Sequence, residues 1–241
     1  MARRRPPERF QELLDAALRV FAAKGVRRAR MADIAAEMGV APGSLYNYVE
    51  SKEALFHWIV ARGASDLPVA EPPALPIPTP RPEDAAALLQ EQLAEAFVLP
   101  RFEAACARKR PRDAQRELHE VLGELYDRIA GARRTMSVIE RSAIDLPELF
   151  DTYFATLRRS FFERLRGYIA ARQRSGDFRA SLDADVAARF VVEAITFFAR
   201  HRFGDPSPPP LPDDAEVRAQ VIALASASLL SKPARPAEKR R

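Results

Sequence analysis

Cysteine, histidine and glycine are all scarce in this chain of 241 residues. Cys106 is the only cysteine, which excludes an internal disulfide and gives no indication of export. His57, His119 and His201 lie far apart, without a second ligand at a metal-binding spacing, so we predict no metal site. The sequence also lacks a glycine-rich phosphate loop, a G-x-S-x-G motif and a paired His or Cys near Asp. We therefore predict no enzyme and no cofactor.

Long apolar runs are missing as well. No stretch approaches the roughly 20 apolar residues of a membrane-spanning helix. The opening residues, MARRRPPERF, lack the apolar segment of a signal peptide, so we expect a cytoplasmic protein. Apolar residues still make up 47% of the chain, which is enough for a sizeable core in one large domain or two small ones.

Positive charge is concentrated near the N-terminus. The formal net charge is +5, and residues 1–30 hold nine Arg or Lys against three acids. Residues 31–60, in contrast, hold one base and four acids. A basic segment beside a less basic core indicates a polyanionic partner. A merely solvated tail is the alternative explanation of the charge.

Few β-branched runs and an abundance of Ala, Leu, Arg and Glu predict an all-helical protein. Twelve of the twenty prolines fall in residues 68–82 and 206–212, and neither segment can be the interior of a helix. The first segment is predicted to be a stiff, extended linker, and the second a loop between two long helices.

Apolar spacing and glycine or proline boundaries predict four helices before the linker, at residues 8–24, 31–38, from Pro42 onward, and 52–64. Gly25 and Gly39 are predicted to end the first two, and Ser51 to cap the fourth. After the linker, helices are predicted at residues 83–99, 101–109, 112–130, 132–145, 147–175, 183–203 and 213–231.

Two short helices separated by Gly39-Val40-Ala41 predict a helix-turn-helix motif, in which the second helix lies in the major groove of DNA. The residues predicted to face the core are Ile34, Met38, Leu45 and Val49. The residues predicted to face outward are Ser44, Asn47 and Tyr48, with Tyr46 near the edge. Their hydroxyl and amide groups suit phosphates and base edges.

Lys52 lies in the first turn of the fourth helix, where a cation opposes the helix dipole. This placement makes sense if a phosphate docks there. A solvated surface lysine is the alternative.

Residues 7–67 resemble the DNA-binding domain of the tetracycline-repressor (TetR) family. The matching features are Ala16-Ala17, Phe21, Gly25, Met31, Asp33-Ile34-Ala35, Gly39-Val40, Gly43, Leu45-Tyr46, Tyr48-Val49 and Ser51-Lys52-Glu53-Ala54-Leu55. The resemblance implies a homodimeric transcription regulator, most often a repressor that a small molecule releases from DNA. The DNA contacts that it implies are Arg30, Ala41, Pro42, Gly43, Ser44, Tyr46, Asn47, Tyr48 and Lys52.

The sequence departs from the family pattern in two places. Thr or Ser usually stands where Ala29 and Arg30 stand, and Ser often stands where Ala41 stands. An alanine cap costs about 1 kcal/mol, which Pro42 partly offsets by pre-setting the backbone. Arg30 is a poor cap but can still bind a phosphate.

The resemblance divides the chain into a helix-turn-helix domain at residues 7–67, the proline-rich linker at 68–82, a ligand-binding and dimerisation domain at 83–231, and a basic tail at 232–241. An apolar cavity among the later helices is the usual place for an effector in this family. The residues predicted to line it are Phe97, Phe102, Tyr126, Met136, Ile139, Glu140 and Phe154. Glu140, Arg141 and Asp145 either supply its polar groups or pair with each other. Residues 140–150 resemble a segment of the multidrug-efflux (AcrR-like) branch, which favours an apolar or amphipathic ligand.

A single short reading helix has too few base-facing side chains for high specificity, so we predict a homodimer on a palindromic operator. The last two helices carry the predicted interface, which consists of Phe190, Val191, Ala194, Ile195, Phe198, Val221, Leu224, Ala225 and Ser228. The alternative is that these faces are used in the core of the domain itself.

The basic segments Arg3-Arg4-Arg5 and Lys239-Arg240-Arg241 allow two further readings. The first segment is predicted to lie along DNA phosphates or to enter a minor groove. A helical scaffold or lipid-associated protein whose basic tails bind acidic membranes is the alternative function.

Overall fold

A computed structural model describes residues 7–62 and 74–231, and every regular element in these ranges is helical. The α-helices are α1 (Pro7–Lys24), α2 (Met31–Met38), α3 (Lys52–Ala61), α4 (Pro82–Ala96), α5 (Pro100–Ala107), α6 (Ala114–Gly131), α7 (Arg133–Ala143), α8 (Pro147–Phe150), α9 (Arg159–Arg174), α10 (Ala184–Ala199) and α11 (Asp214–Leu229). The segments Pro42–Asn47 and His201–Gly204 are 3-10 helices, and a π-helical segment, Asp151–Arg158, joins α8 to α9. The predicted all-α fold is confirmed. In these ranges, no helix combines the length and hydrophobicity that a membrane span requires.

Helix boundaries fall where glycine and proline predict them. Gly25 and Gly39 follow α1 and α2 with φ of 74° and 67°, left-handed values that glycine adopts without strain. Pro82, Pro100 and Pro147 each occupy the first position of a helix, where the missing N–H costs nothing. The backbone rules that apply at helix ends therefore account for these five helix limits.

The chain divides into two compact units. The first comprises residues up to Val98 together with Arg128–Arg159, and the second comprises Leu99–Asp127 together with residues from Ser160 onward. This division does not follow the predicted domain boundary at the proline-rich segment. The reason is that α7, which is remote in sequence, packs against α1.

The core of the first unit joins the N-terminal helices to α7 and α8. Phe10, Leu14 and Phe21 of α1 are buried in one cluster with Ile139 of α7 and Leu149 of α8. Phe10 also contacts Trp58 of α3 edge to face, with ring centroids 5.1 Å apart. The helix-turn-helix thus rests on a buried apolar base to which later helices contribute.

Part of the predicted linker is bound to this base. Of residues 68–82, positions 68–73 lie outside the described residues, and the rest run beside the start of α3. The N–H of Thr79 donates to Glu50 Oε2 at 2.8 Å, and its hydroxyl donates to Ser51 Oγ at 2.8 Å. Ser51 Oγ in turn accepts from the N–H of Ala54 at 3.0 Å and so caps α3 as predicted.

The second unit contains a buried charged pair. Arg172 and Glu117 are 1% and 6% exposed, and their nearest charged atoms are 2.8 Å apart. The Arg172 guanidinium also donates to the carbonyl oxygens of Ala105 and Arg108, at 2.9 Å and 3.2 Å. Both charges therefore have partners, and the bonds of Arg172 join the end of α5 to α9.

Candidate nucleic-acid interface

The turn between α2 and the following 3-10 helix is closed at Gly39. Its N–H donates to the carbonyl oxygen of Ala36 at 3.1 Å, and the N–H of Val40 donates to that of Ala35 at 3.0 Å. These bonds satisfy carbonyl groups at the end of α2 and redirect the chain toward Pro42. The two short helices therefore form the helix-turn-helix that the sequence predicts.

The second helix of the motif, Pro42–Asn47, is a 3-10 helix and not an α-helix. Its last turn is closed by the N–H of Tyr48, which donates to the carbonyl oxygen of Leu45 at 2.8 Å. Since a 3-10 helix has about three residues per turn, positions three apart lie on the same side. Leu45 and Tyr48 therefore both point toward the base of the motif.

This register exchanges the roles of two tyrosines. Tyr46, predicted near the edge, is 52% exposed, whereas Tyr48, predicted to face outward, is half-buried. The Tyr48 ring stacks on Phe10, with centroids 6.4 Å apart, and its carbonyl oxygen accepts from the N–H of Ile77 at 2.8 Å. The outward placement of Tyr48 is therefore wrong, because the α-helical rotation of about 100° per residue does not apply to this segment.

The remaining predicted reading face is accessible and rests on a buried layer. Its exposed residues are Arg30, Ala41, Pro42, Gly43, Ser44, Tyr46 and Asn47. Ile34, Leu45 and Val49 are buried beneath them, and Met38 packs partly buried against the same core, as predicted. Hydroxyl, amide and guanidinium groups held above this buried layer can contact the edges of DNA bases and the phosphates. Their contact with DNA stays a prediction.

Helix α2 lacks the usual hydroxyl cap, and Asp33 replaces it from within the helix. The Asp33 carboxylate accepts from the N–H of Arg30 at 2.9 Å and pairs with Lys24 Nζ at 2.9 Å. The Lys24 ammonium and the Arg30 N–H hold the pKa of Asp33 below its ordinary value. The Arg30 side chain takes no part in the cap and is exposed, which leaves its guanidinium accessible to a phosphate.

Lys52 is bound to the loop that precedes α2. Its Nζ donates to the carbonyl oxygens of Arg27 and Ala29, at 3.0 Å and 2.9 Å, and the side chain is only 22% exposed. Sequence analysis missed this role, because no local pattern shows that residues 23 and 25 positions earlier lie beside the start of α3. Lys52 therefore positions the loop at Arg27 and Ala29, whether or not it also contacts DNA.

We predict that Lys52→Met weakens binding to a preferred DNA site more than binding to unrelated duplex. One charge-assisted hydrogen bond is worth about 1.5 kcal/mol, so the expected loss is about tenfold. A lysine that only neutralised a phosphate would instead weaken all sequences alike and lower the salt slope by about one unit. Titrations of both duplexes at several salt concentrations separate these outcomes.

Lys52→Arg is the matched variant for this test. It keeps the positive charge, but its longer side chain and planar guanidinium place the N–H groups differently, so we expect only partial recovery of the bonds to Arg27 and Ala29. Full recovery of binding in Lys52→Arg would contradict the positioning role.

The seven residues predicted to line an effector pocket are divided between the two units. Those in the first unit are Phe97, Met136, Ile139, Glu140 and Phe154, and those in the second are Phe102 and Tyr126. Phe102 and Tyr126 are 1% and 5% exposed and belong to the core of the second unit. Tyr126 donates its hydroxyl to the carbonyl oxygen of Phe198 at 3.4 Å.

An open groove of about 700 Å³ lies in the first unit, along the end of α7 and the start of the following helical run. It is lined by Glu140, Ala143, Ile144, Pro147, Phe150, Asp151 and Phe154. Glu140 and Phe154 are thus the predicted pocket residues that this groove brings together. Their role in binding an effector stays a prediction.

The nine predicted dimer residues all lie in the second unit, with different accessibility. Val191, Ile195, Val221 and Ala225 are buried by the chain's own side chains. The interface assignment of these four is therefore corrected, because the inner faces of α10 and α11 are used within the unit. Phe190 and Leu224 are 56% and 70% exposed, and Ala194, Phe198 and Ser228 are half-buried.

Two further exposed apolar residues of α10, Val186 and Phe197, were not among the predicted dimer residues. They are 68% and 46% exposed. Both lie on the same side of the helix as Phe190, since positions four and seven apart share a face. This spacing could have identified them in the sequence.

The basic segments Arg3-Arg4-Arg5 and Lys239-Arg240-Arg241 lie outside the described residues.

Comparisons with known proteins point to one class of protein. Residues 13–59 match the family model described as "Bacterial regulatory proteins, tetR family". This range covers most of α1, all of the helix-turn-helix and most of α3. A curated relative is the HTH-type transcriptional repressor KstR2 of Rhodococcus jostii (strain RHA1). It is 28% identical over 185 residues, which cover 76% of this chain and 74% of the relative.

Solved structures share the fold over nearly the whole chain. A probable transcriptional regulatory protein, RHA5900, aligns with a TM-score of 0.57 at 21% identity, over 92% of this chain and 98% of that one. The ketosteroid transcriptional regulator KstR2 of Mycobacterium tuberculosis aligns with a TM-score of 0.54 at 16% identity, over 93% and 96%. At these identities the alignments establish similarity of fold.

Proposed function

We propose that the chain, a DNA-binding transcriptional regulator whose helix-turn-helix matches the tetR family, is a repressor that a small apolar or amphipathic molecule releases from a palindromic operator. The observation that carries the proposal is the accessible face of Ser44, Tyr46 and Asn47 above a buried apolar layer, together with the exposed guanidinium of Arg30. Such a face presents hydrogen-bonding groups to a groove without exposing its apolar base. The relative named as a repressor supports the negative sign of regulation. Acting on DNA also agrees with the expected cytoplasmic location.

A homodimer supplies the second reading face that a palindrome requires. Exposed Phe190 and Leu224 support an interface along α10 and α11, because side chains of this size are seldom left in water in clusters. Half-buried Ala194 and Ser228 permit close approach of a second helix pair. Two copies paired there would form a four-helix bundle across a two-fold axis.

An effector would act by favouring a dimer whose reading faces are wrongly spaced. Coupling of this kind is reciprocal, so effector and operator weaken each other's binding by the same factor. The groove containing Glu140 and Phe154 supports an apolar or amphipathic molecule, since two phenyl rings lie beside carboxylates there. Assignment to the multidrug-efflux branch stays a prediction.

Selection from random duplex DNA tests the proposed function. We expect the purified full chain to enrich an inverted repeat whose half-sites are separated by about one or more helical turns. Enrichment of a sequence without two-fold symmetry would contradict the palindromic operator, and no enrichment would contradict sequence-specific binding. Sedimentation with vesicles rich in phosphatidylglycerol, run in parallel, tests the alternative of a membrane-associated protein.

A further inference from the structure

The loop joining α1 to α2 is bound by the C-terminal end of α7. The N–H of Val26 donates to Ser142 Oγ at 3.1 Å, in a buried hydrogen bond between residues 116 positions apart. Ser142 is 0% exposed. A buried N–H needs a partner, and the hydroxyl of Ser142 supplies it here. The loop conformation at Val26 therefore depends on a side chain of α7.

Asp145 binds the same loop through both its side chain and its backbone. The Arg28 guanidinium forms an ion pair with the Asp145 carboxylate at 2.9 Å, and the Arg27 guanidinium donates to the Asp145 carbonyl oxygen at 3.2 Å. Arg141 adds a bond from Nε to the carbonyl oxygen of Ala23 at 3.3 Å. We call Arg141, Ser142 and Asp145 the α7 clamp. The polar groups of Arg141 and Asp145 therefore bind residues 23–28.

Gly25, at the start of the loop, lies close to the α7 clamp. Gly25 has φ of +74°, and a Cβ placed there would lie 3.3 Å from the carbonyl oxygen of Arg141 and 3.5 Å from Asp145 Oδ2. A side chain at this position would be strained in its backbone and crowded by the clamp. Glycine therefore serves both the turn and the close approach.

The far end of the loop determines where the helix-turn-helix begins. Lys52 bonds to the carbonyl oxygens of Arg27 and Ala29, and the next residue, Arg30, precedes the first turn of α2. The loop is thus bound by both the α7 clamp and Lys52. A shift of residues 26–29 would move the N-terminus of α2 and, with it, the reading face.

We propose that Ser142 and Asp145 are positioning residues for DNA recognition, which rests on the proposed function of sequence-specific binding. They act through residues 26–28 and not through contact with DNA. Losing the Ser142 hydroxyl leaves a buried N–H unpaired, and losing the Asp145 charge frees Arg28 from its ion pair. Either change loosens the start of α2 and lowers the preference for the operator over other duplexes.

The test compares Ser142→Ala and Asp145→Asn with the wild-type chain on the selected operator and on random duplex, at several salt concentrations. We expect the ratio of operator to random affinity to fall about tenfold in each variant, with the salt slope unchanged and the dimer retained. For Asp145→Asn, the direction of the change in operator affinity is informative. Removal of a negative charge should strengthen electrostatic binding to DNA, so weaker operator binding cannot be a charge effect.

Glu148→Gln, which removes an exposed carboxylate three residues further along, is the matched control and should leave the ratio unchanged. Asp145→Glu keeps the carboxylate and should recover part of the loss. Wild-type ratios in Asp145→Asn, or equal losses on both duplexes, would overturn the proposal even if Ser142→Ala fails to fold. Failure of the proposed function is distinguishable, because the wild-type chain itself would then show no operator preference.

Discussion

Replacing Ser44 and Asn47 together with alanine is expected to remove most of the operator preference while the fold is retained. Both residues are exposed, and the helix that carries them is held by the burial of Leu45 and Val49 beneath it. A lost base contact costs about 1 kcal/mol or more. Four lost contacts in a dimer therefore amount to about 4 kcal/mol, or roughly three orders of magnitude in affinity.

A competition gel shift with labelled operator and unlabelled random duplex measures this effect. Random duplex should bind the double variant about as well as it binds the wild type, because Arg30 and the other basic residues are unchanged. Retention of full discrimination would show that these residues do not read the sequence.

Tyr46→Phe and Tyr48→Phe form a second pair of variants. The 3-10 register predicts the larger loss of operator affinity for Tyr46→Phe.

The helices of this fold could be predicted because their signals are local. Gly25 and Gly39 follow helices in the left-handed conformation that glycine adopts without strain, and Pro82, Pro100 and Pro147 stand at the first position of a helix, where a proline fits. The apolar spacing of α1 predicts the face of the helix that is buried in the structure. Helix ends depend on the backbone preferences of single residues, and the buried face depends on apolar periodicity, so both can be predicted from the local sequence.

The details of the reading face were less predictable, because several backbone geometries fit the same residues. The segment from Pro42 to Asn47 has only six residues, too few for periodicity to distinguish a 3-10 helix from an α-helix. The difference of about 20° per residue then decides whether Tyr46 or Tyr48 faces the solvent. The Asp33 cap, in contrast, was detectable, since an acid at the third helical position is a known capping pattern.

Long-range partners could not be predicted from one sequence. Lys52 contacts carbonyl groups of Arg27 and Ala29, and Ser142 contacts Val26, across separations for which no spacing rule exists. Likewise, an apolar helix face indicates burial but not whether the covering surface belongs to the same chain or to a second copy. Val191 and Ile195 are buried within the unit, whereas Phe190, on the same helix, is exposed.

The exposed apolar face of α10 and α11 leads to the last prediction, that Phe190→Glu combined with Leu224→Glu converts the dimer to a monomer. The two positions are 56% and 70% exposed, so the substitutions should leave the core of the second unit intact. Phe198 is less suitable, because it is already half-buried in its own chain. Burial of each side chain in a partner contributes about 1.5 kcal/mol.

Four such side chains in a dimer contribute about 6 kcal/mol, so the dissociation constant of the dimer should rise about four orders of magnitude. Sedimentation velocity at micromolar concentration would then show a monomer, and operator binding would fall with it because one reading face is insufficient. Leu211→Glu, at an exposed leucine in the loop before α11, is the matched control and should remain dimeric. A wild-type chain that sediments as a monomer at this concentration would refute the dimer, and a dimeric double variant would place its interface elsewhere on the chain.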